Sequence, residues 1–463
     1  MSTSNLGSRA LSNSSLSSLP SMGGVSNRRT SGPFPSSTTI SSELSLSKSQ
    51  LSKRGTIGSG MLSKSELAAL SNASLRQSGS LHSLYIESSM AADLLSSGRK
   101  GGKLGSLGNL TGHTAPREPL VTGMLKPRFS LRTSAEIFIA RFSPDEGSLA
   151  VGYGDATISI ILTSSGSVMR TLTPPGNYLK APCTTLYFRP TNPSYKNQNI
   201  LVAGYSEGKI IFWHYTTGQI VKVVDTGDDQ VNCITYSLDG ARFAMGGSEG
   251  TVTVFDGFTS QKAMTLTLGQ VNVTSGHSNR IFSVRFHPKE PHSIMSAGWD
   301  NTVQIWDTRI QRSVRSIYGP HICADSIDFD DSGDRILTGS YSKENPIQIW
   351  SWSQAQVTDT IPWSILELSE RKPCLLYAAQ FSHSPESSIR NRFVLAAGGG
   401  GANEMRIYET QSKRAVAMVQ NLTSPVFTAA FSPTDQMVAL GGGASKTIYV
   451  YDMESQLPKE FLY

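Results

Sequence analysis

A short segment that ends in an aromatic residue recurs seven times in this chain of 463 residues. Aligned without gaps, the copies are IFIARF (137–142), CTTLYF (183–188), VNCITY (231–236), IFSVRF (281–286), ADSIDF (324–329), LYAAQF (376–381) and VFTAAF (426–431). Their last residues stand 46, 48, 50, 43, 52 and 50 positions apart. A period of this length indicates a fold built from repeated units, because one such unit cannot bury its hydrophobic face alone.

Each copy opens a unit of four predicted strands. The aromatic segment is followed by a polar turn, a strand rich in small residues such as LAVGYG (149–154) or IMSAGW (294–299), and an alternating strand such as TVQIW (302–306). Short alternating strands separated by Gly, Asp and Ser are typical of antiparallel hairpins. The sequence therefore predicts an all-β fold, a closed seven-bladed β-propeller over residues 126–463, with blades starting near 137, 183, 231, 281, 324, 376 and 426.

The fourth unit carries the fullest motif. Gly276 and His277 precede its first strand, Asp300 lies in the turn between its second and third strands, and Trp306 and Asp307 end the third. This pattern resembles the repeats of WD-repeat β-propeller proteins. In that family a His, a strand Ser or Thr, a turn Asp and the Trp form a buried hydrogen-bonded chain. The resemblance implies this structural role for four residues: His277, Ser296, Asp300 and Trp306.

The other units depart from that motif. At the position of Trp306 they carry Ile161, Trp213, Phe255, Trp350, Tyr408 and Tyr451. Several large apolar residue types can fill a blade core, so packing rather than the polar chain is what the units share.

Closure of the ring is predicted from a second similarity. The string FSLRTSAEIF (129–138) resembles MVQNLTSPVF (418–427), which links two units. Residues of about 128–132 are therefore expected to form the outer strand of the last blade, which would join the two ends of the ring and remove open sheet edges. A competing closure would use LPKEFLY (457–463), which contains Pro458.

Residues 1–125 differ from the rest in composition. Residues 1–128 contain 32 serines and 14 Lys and Arg against 5 Asp and Glu, whereas the remainder has 27 against 30. Such a segment cannot bury enough apolar surface to offset chain entropy, which predicts a basic, mostly disordered arm. Its first 42 residues are rich in serine and lack acids before Glu43, which also fits a targeting segment.

The arm contains hydroxyl groups that follow arginines. RRTS (28–31), KRGT (53–56) and RQS (76–78) mark Thr30, Ser31, Thr56 and Ser78 as candidate phosphorylation sites, although chance matches are expected in such a segment. Residues 63–75 and 81–95 are candidates for short helices formed on a partner. The positive charge favours contact with an acidic surface, but without dense basic runs specific nucleic-acid binding is not expected.

No pattern for catalysis stands out. The sequence lacks GxSxG, HExxH, P-loop, EF-hand and kinase signatures, and Cys183, Cys233, Cys323 and Cys374 form no CxxC pair. No apolar run is long enough to span a bilayer. The sequence therefore predicts a protein that is not an enzyme, holds no metal or cofactor, does not enter membranes, and resides in the cytoplasm, with cytoskeletal association or a nuclear location as further options.

The resemblance also suggests a binding surface. In WD-repeat propellers the residue four positions before the end of each innermost strand lines the mouth of the central channel. Here these residues are Phe138, Thr184, Asn232, Phe282, Asp325, Tyr377 and Phe427. The four aromatic rings could anchor a linear peptide, with Arg280 or Asp325 orienting it. Alternatively, the rings cap the channel and contact one another.

A second surface is suggested by WDTR (306–309), which resembles the WDxR box of substrate receptors for cullin-type ubiquitin ligases, with Arg309 exposed to an adaptor. The function predicted from the sequence is a non-enzymatic scaffold or adaptor that presents peptide-binding surfaces. A ligase substrate receptor and a cytoskeletal or ciliary scaffold are the specific alternatives.

Overall fold

Strands form all the regular secondary structure in the described residues, which in a computed structural model are 118–176, 181–195, 198–269, 274–363, 373–386 and 389–454. The first two strands are β1 (Leu120–Gly123) and β2 (Leu125–Arg132). Within these residues there is no helix that could cross a membrane. The candidate phosphorylation sites, the possible targeting segment, the two helix candidates and the alternative closing segment 457–463 lie outside the described residues.

The first three blades follow β2 in chain order. Blade 1 contains β3 (Ile137–Phe142), β4 (Ser148–Tyr153), β5 (Ile158–Leu162) and β6 (Val168–Leu172). Blade 2 contains β7 (Cys183–Phe188), β8 (Ile200–Tyr205), β9 (Lys209–His214) and β10 (Gln219–Asp225). Blade 3 contains β11 (Val231–Tyr236), β12 (Arg242–Gly247), β13 (Val252–Asp256) and β14 (Lys262–Leu266).

The next two blades continue this pattern, with one short additional strand. Blade 4 contains β15 (Leu268–Gly269), β16 (Ile281–Phe286), β17 (Ser293–Gly298), β18 (Thr302–Asp307) and β19 (Arg312–Tyr318). Strand β15 pairs in parallel with β19, on the outer edge of the blade. Blade 5 contains β20 (Ile327–Phe329), β21 (Arg335–Gly339), β22 (Ile347–Ser351) and β23 (Val357–Ile361).

The last two blades combine C-terminal strands with the two strands that precede blade 1. Blade 6 contains β24 (Leu375–Phe381), β25 (Phe393–Gly399), β26 (Glu404–Glu409) and β27 (Ala415–Gln420), with β1 added outside β27. Blade 7 contains β28 (Thr428–Phe431), β29 (Met437–Gly441) and β30 (Thr447–Met453), with β2 as its outer strand. The first strand of each blade contacts that of the next, and β28 contacts β3, so the seven sheets close into a ring. The predicted all-β, seven-bladed propeller is confirmed.

The N-terminal boundary of the propeller lies earlier than residue 126. Strand β1 pairs antiparallel with β27, with Leu120 opposite Gln420, and β2 begins at Leu125. Residues 120–125, which the sequence analysis placed in the arm, therefore belong to the sheets. Strand β1 is exposed or half-buried along its length, because it lies on the outer edge of blade 6.

The second strands are among the most deeply buried elements of the blades. All six residues of β4 and of β8 are buried, whereas the first four residues of the outer strand β6 are exposed. Small residues in these second strands allow the next blade to approach closely. A Cβ atom on Gly204 of β8 would lie 2.5 Å from a methyl carbon of Val231 in the next blade. The small-residue strands of the sequence are thus a packing requirement of the ring.

The first strand of blade 5 is shorter than its sequence predicts. The copy ADSIDF begins at Ala324, but β20 covers only Ile327–Phe329. The amide of Ser326 donates a hydrogen bond to the carbonyl of Ala324, so the preceding residues turn instead of pairing. This turn accompanies the contacts that Asp325 makes with arginines inside the channel.

Candidate functional site

The predicted mouth residues converge on the central channel. Six of them line one cavity: Phe138, Thr184, Asn232, Phe282, Asp325 and Phe427. The cavity volume is about 30 Å³, room for very few water molecules and far too small for a peptide to enter. The other two residues do not line it. Tyr377 packs against Phe427, and Nη1 of Arg280 donates to Oε1 of Gln230 at 2.6 Å.

Three of the four mouth aromatics are packed inside instead of being presented to solvent. Phe138, Phe282 and Tyr377 are 7%, 3% and 2% exposed, while Phe427 is half-buried. The rings contact each other, as the structural alternative expected. A channel this narrow brings the first strands close enough for these three side chains to fill the opening, and peptide binding by them stays a prediction.

Two aromatic side chains that were not predicted at the mouth pack against the predicted ones. Trp299 lies 5.1 Å from Phe282 between ring centroids, and Tyr341 lies 5.2 Å from Tyr377. Both side chains are half-buried. Each ends or follows a small-residue strand, in IMSAGW and ILTGSY, and that shared placement is the signal that could have identified them.

The rings on one side of the mouth form a continuous set, which we call the aromatic arc: Tyr341, Tyr377, Phe427 and Phe138. From Tyr341 the arc passes to Tyr377, then to Phe427 at 5.1 Å and on to Phe138 at 6.2 Å between centroids. Edge and tilted ring pairs of this kind stabilise each other beyond their buried area. The half-buried members, Tyr341 and Phe427, supply the part of the arc that solvent reaches.

Below the mouth, a partly buried ion-pair network engages Asp325. Its carboxylate accepts hydrogen bonds from Arg141 and from Oγ of Ser283 at 2.8 Å, and pairs with Nη2 of Arg285 at 2.8 Å. Burial raises the pKa of Asp325, but Arg285 and Arg141 lower it further, so the net shift is downward. Asp325 is therefore engaged by side chains of blades 1 and 4, and these contacts join the two blades to blade 5. Its role in orienting a peptide stays a prediction.

The network continues to the opposite end of the channel through His383. Its Nε2 lies 2.9 Å from Oδ2 of Asp328, and its Nδ1 lies 2.7 Å from Oδ1 of Asp331. Because each carboxylate only accepts, both ring nitrogens donate and the imidazole is charged. Burial lowers the pKa of His383, but Asp328 and Asp331 raise it to about 10. No repeat in the sequence marks these residues, so sequence reasoning missed them.

The fourth blade brings the four motif residues into one chain of hydrogen bonds. Trp306 Nε1 donates to Ser296 Oγ at 2.7 Å, Ser296 Oγ lies 2.7 Å from His277 Nε2, and His277 Nδ1 lies 2.8 Å from Asp300 Oδ2. An indole only donates and a carboxylate only accepts, so Ser296 donates to His277, and His277 donates to Asp300. Burial raises the pKa of Asp300, but the hydrogen bond from His277 contributes to a net downward shift.

Arg309 follows this blade's third strand and is exposed. Its side chain is 66% exposed, and its Nη2 pairs with Oδ2 of Asp307 at 2.6 Å. The guanidinium group is therefore accessible, as expected, but it folds back onto its own strand. A partner carboxylate would compete with Asp307 for it.

Comparison with known proteins identifies the repeats. The family model described as "WD domain, G-beta repeat" matches residues 218–256 and 269–307, which end at Asp256 of blade 3 and Asp307 of blade 4. Together with the seven closed blades, this match decides the family. The chain is a WD-repeat β-propeller protein. Proteins of this family are generally non-catalytic and bind other proteins.

Relatives of this WD-repeat protein share only part of their length with it. Periodic tryptophan protein 2 homolog of Dictyostelium discoideum is 21% identical over 309 residues, covering 56% of this chain and 32% of that protein. WD repeat-containing protein 1 of Mus musculus is 29% identical over 112 residues, covering 24% and 16%. Nuclear distribution protein PAC1 of Komagataella phaffii is 26% identical over 174 residues, covering 34% and 32%. The matches thus span at most about a third of each relative.

The described part of this WD-repeat protein contains no group of His, Cys, Asp and Glu side chains arranged to hold a metal ion. Its four cysteines are buried, and burial raises the pKa of the thiol of Cys183, as of the other three. A buried thiol with a raised pKa is a poor nucleophile, since the thiolate is the reactive form. These cysteines are core residues.

Proposed function

We propose that this chain is a non-enzymatic interaction scaffold that binds a segment of a partner protein across the channel mouth, over the aromatic arc. The observation that carries the proposal is the arc itself, a connected set of rings of which Tyr341 and Phe427 reach solvent. Aromatic side chains held rigidly by their neighbours bury large area at low entropy cost.

The size of the channel fixes how such a segment would lie. The cavity of about 30 Å³ cannot admit side chains of a peptide, so the partner lies across the mouth and does not insert into it. Tyr341 belongs to blade 5 and Phe427 opens blade 7, so a segment that contacts both crosses blade 6. Arg280, on the far side of the mouth, is available to contact an acidic residue of the partner at the cost of its bond to Gln230.

The experiment compares tagged chains purified from cells, with their partners identified by mass spectrometry. The test variant combines Tyr341→Ser and Phe427→Ala, because these arc residues are half-buried, whereas substitution of the buried Phe282 or Tyr377 would disturb folding. The matched control combines Phe258→Ala and Tyr318→Ala, which are 45% and 68% exposed and lie outside the mouth.

The outcomes separate the site from the rest of the molecule. The proposal is supported if the arc variant loses its partners, the control variant keeps them, and the melting temperature of both variants is unchanged. Retention of every partner by the arc variant refutes it. A chain of residues 118–463 provides the third arm, because partners lost only with that chain would place recognition in residues 1–117 and not at the mouth.

A role as substrate receptor of a cullin-type ubiquitin ligase is the second candidate, favoured by the exposure of Arg309 in WDTR. Arg309→Ala would abolish association with the ligase adaptor, while Arg312→Ala, at the start of the next strand, would not. Equal adaptor association in both variants rules this candidate out. A cytoskeletal or ciliary scaffold, a cytoplasmic location, phosphorylation of the arm and its contact with an acidic surface also stay proposals.

A further inference from the structure

A groove much larger than the channel cavity opens where the ring closes. Its volume is about 440 Å³, against about 30 Å³ for the cavity at the mouth. The turns after β24 and β28 contribute to its lining, through Glu386, Asp435 and neighbouring residues. The mouth residues lie near the beginning of the first strands and these turns follow their ends, so the groove lies on the opposite face from the mouth. We call it the seam groove.

The seam groove exists because blade 7 is assembled from two distant parts of the chain. In the other blades a short turn joins the third and fourth strands, as between Asp256 of β13 and Lys262 of β14. In blade 7 the third strand is β30 and the fourth is β2, so no such turn can cover this corner. Instead, the amide of Glu454 donates to the carbonyl of Met124 at 2.8 Å, and both residues line the groove.

The floor of the seam groove is apolar and adaptable. Met124, Phe393 and Met437 are buried beneath it, and Ile389 and Met453 are half-buried at its surface. Methionine side chains are flexible and polarisable, so they adapt to apolar groups of different shape. A bulky aliphatic or aromatic side chain placed here would exclude water from already half-buried apolar surface.

The rim of the seam groove carries more acids than bases. Three acidic residues and two arginines line it, Glu386, Asp452, Glu454, Arg128 and Arg392, whereas a fourth acid, Asp435, is buried and accepts hydrogen bonds from the amides of His383 and Ser384. The two arginines pair with acids of the propeller, Arg128 Nη1 with Asp452 Oδ1 at 2.6 Å and Arg392 Nη2 with Glu409 Oε1 at 3.0 Å. Glu454, in contrast, is exposed at the edge. Charge complementarity therefore favours a cationic ligand over an anionic one.

We propose that the seam groove binds a short segment of a partner protein in which a bulky apolar side chain stands next to a lysine or arginine. The apolar side chain contacts Ile389 and Met453, and the cation lies beside Glu454. Binding of this kind combines one desolvated anchor with a charge that sets orientation. It is independent of the channel mouth, which lies on the other face and carries the proposed function.

The test is a selection of short randomised peptides on the full-length chain, followed by fluorescence polarisation with the enriched peptides. These peptides are expected to share an apolar residue next to Lys or Arg. Their affinity should fall by about tenfold or more in Glu454→Lys and in Ile389→Glu. The matched controls are Glu344→Lys, an exposed acid in blade 5, and Leu238→Glu, an apolar residue that is 76% exposed elsewhere. Both controls should bind normally, as should Phe427→Ala at the mouth.

Three results would overturn the proposal. The first is that no enriched peptide carries the basic and apolar pair, or that the peptides carrying it bind Glu454→Lys as tightly as they bind the unchanged chain. The second is a dimer in sedimentation velocity that Glu454→Lys dissociates, which would assign the groove to a second copy. The third is tighter peptide binding after removal of residues 1–117, which would assign it to the chain's own basic segment. Melting temperatures of all variants establish that they are folded.

Discussion

One serine hydroxyl in blade 4 satisfies two buried nitrogen atoms. Ser296 Oγ accepts from Trp306 and donates to His277, and the chain ends on Asp300. Blade 5 contains a shorter version, in which Trp350 Nε1 donates to Oγ1 of Thr338 at 2.9 Å. Comparing the two blades therefore separates the contribution of the four-residue hydrogen-bond network to stability from that of a single indole hydrogen bond.

We expect Ser296→Ala to destabilise the protein by about 1–3 kcal/mol, because it leaves buried donor and acceptor groups of two neighbours without partners. Thr338→Val, which removes one hydrogen bond with little change of volume, should cost less. Thermal unfolding followed by circular dichroism measures both. A larger loss of stability in Thr338→Val than in Ser296→Ala would show that the four-residue hydrogen-bond network adds nothing beyond the hydrogen bond of the indole.

His383 joins three blades through charge. It donates to Asp328 and Asp331 of blade 5, and its own backbone amide donates to Asp435 of blade 7. Arg285 and Arg390 pair with the same two aspartates of blade 5 from other sides. Five charged groups from four blades thus surround His383, and the two aspartates of blade 5 are the ones that raise its pKa.

The stabilising effect of His383 should decrease as pH rises. Its pKa is about 10 in the folded protein and 6.5 ordinarily, so the protonated form favours folding fully below pH 6.5, and the effect is lost as pH rises through 10. We expect His383→Gln to cost about 1.5–3 kcal/mol near pH 6, the range for hydrogen bonds to charged groups, and progressively less towards pH 10. Urea unfolding at several pH values measures the difference. A cost independent of pH would contradict an ionic role.

At the scale of the element, each second strand must let the next blade approach. Gly204 in β8 faces Val231 and Thr185, whose methyl carbons would lie 2.5 and 2.6 Å from an added Cβ atom. Outer strands have no such constraint, and β6 exposes Val168 and Met169. The distribution of small and large residues along the four strands therefore follows from their distance from the channel.

We expect Gly204→Ala to destabilise the protein by about 1–3 kcal/mol, because the added methyl group overpacks the contact between blades 2 and 3. Gly176→Ala is the matched control, since an added Cβ there meets no atom within 4 Å and its φ lies outside the left-handed region. Chemical unfolding of the two variants gives the comparison. Equal stability of Gly204→Ala and Gly176→Ala would mean that blades 2 and 3 move apart to admit the methyl group without a cost in folding free energy.

At the scale of the whole molecule, the ring is held closed by strands from opposite ends of the described chain. Strand β2 pairs with β30 along its length, from Leu125 opposite Met453 to Arg132 opposite Thr447. Strand β1 adds to blade 6, so residues 120–132 span the junction between blades 6 and 7. Closure removes sheet edges that would otherwise be free to pair with other chains.

Removal of this closing segment should therefore abolish cooperative folding. A chain of residues 133–463 lacks β1 and β2 and is expected to aggregate, whereas a chain of residues 118–463 should melt cooperatively. A chain of residues 1–454, which lacks the alternative closing segment, should keep the melting temperature of the full chain. Differential scanning calorimetry distinguishes the three. If only the chain of residues 1–454 fails to fold, residues 457–463 and not β2 close the ring.

The sequence by itself determined the architecture, because a repeated pattern needs only local information. Seven aromatic segments and the alternating strands after them predicted seven four-stranded blades, and the similarity of residues 129–138 to an interblade link indicated a closing strand near residue 130. The motif around His277 and Trp306 could be recognised for the same reason. Short-range order along the chain encodes which residues face a blade core.

The tertiary structure decided what the channel and the seam contain. Burial of Phe138 and Tyr377, the pairing of Asp325 with Arg285, and the bridge made by His383 all join residues of different blades, and no spacing along the chain records those contacts. The seam groove likewise depends on two chain segments that meet only when the ring closes. Functional surfaces of a propeller are formed between repeats, whereas the sequence pattern describes each repeat alone.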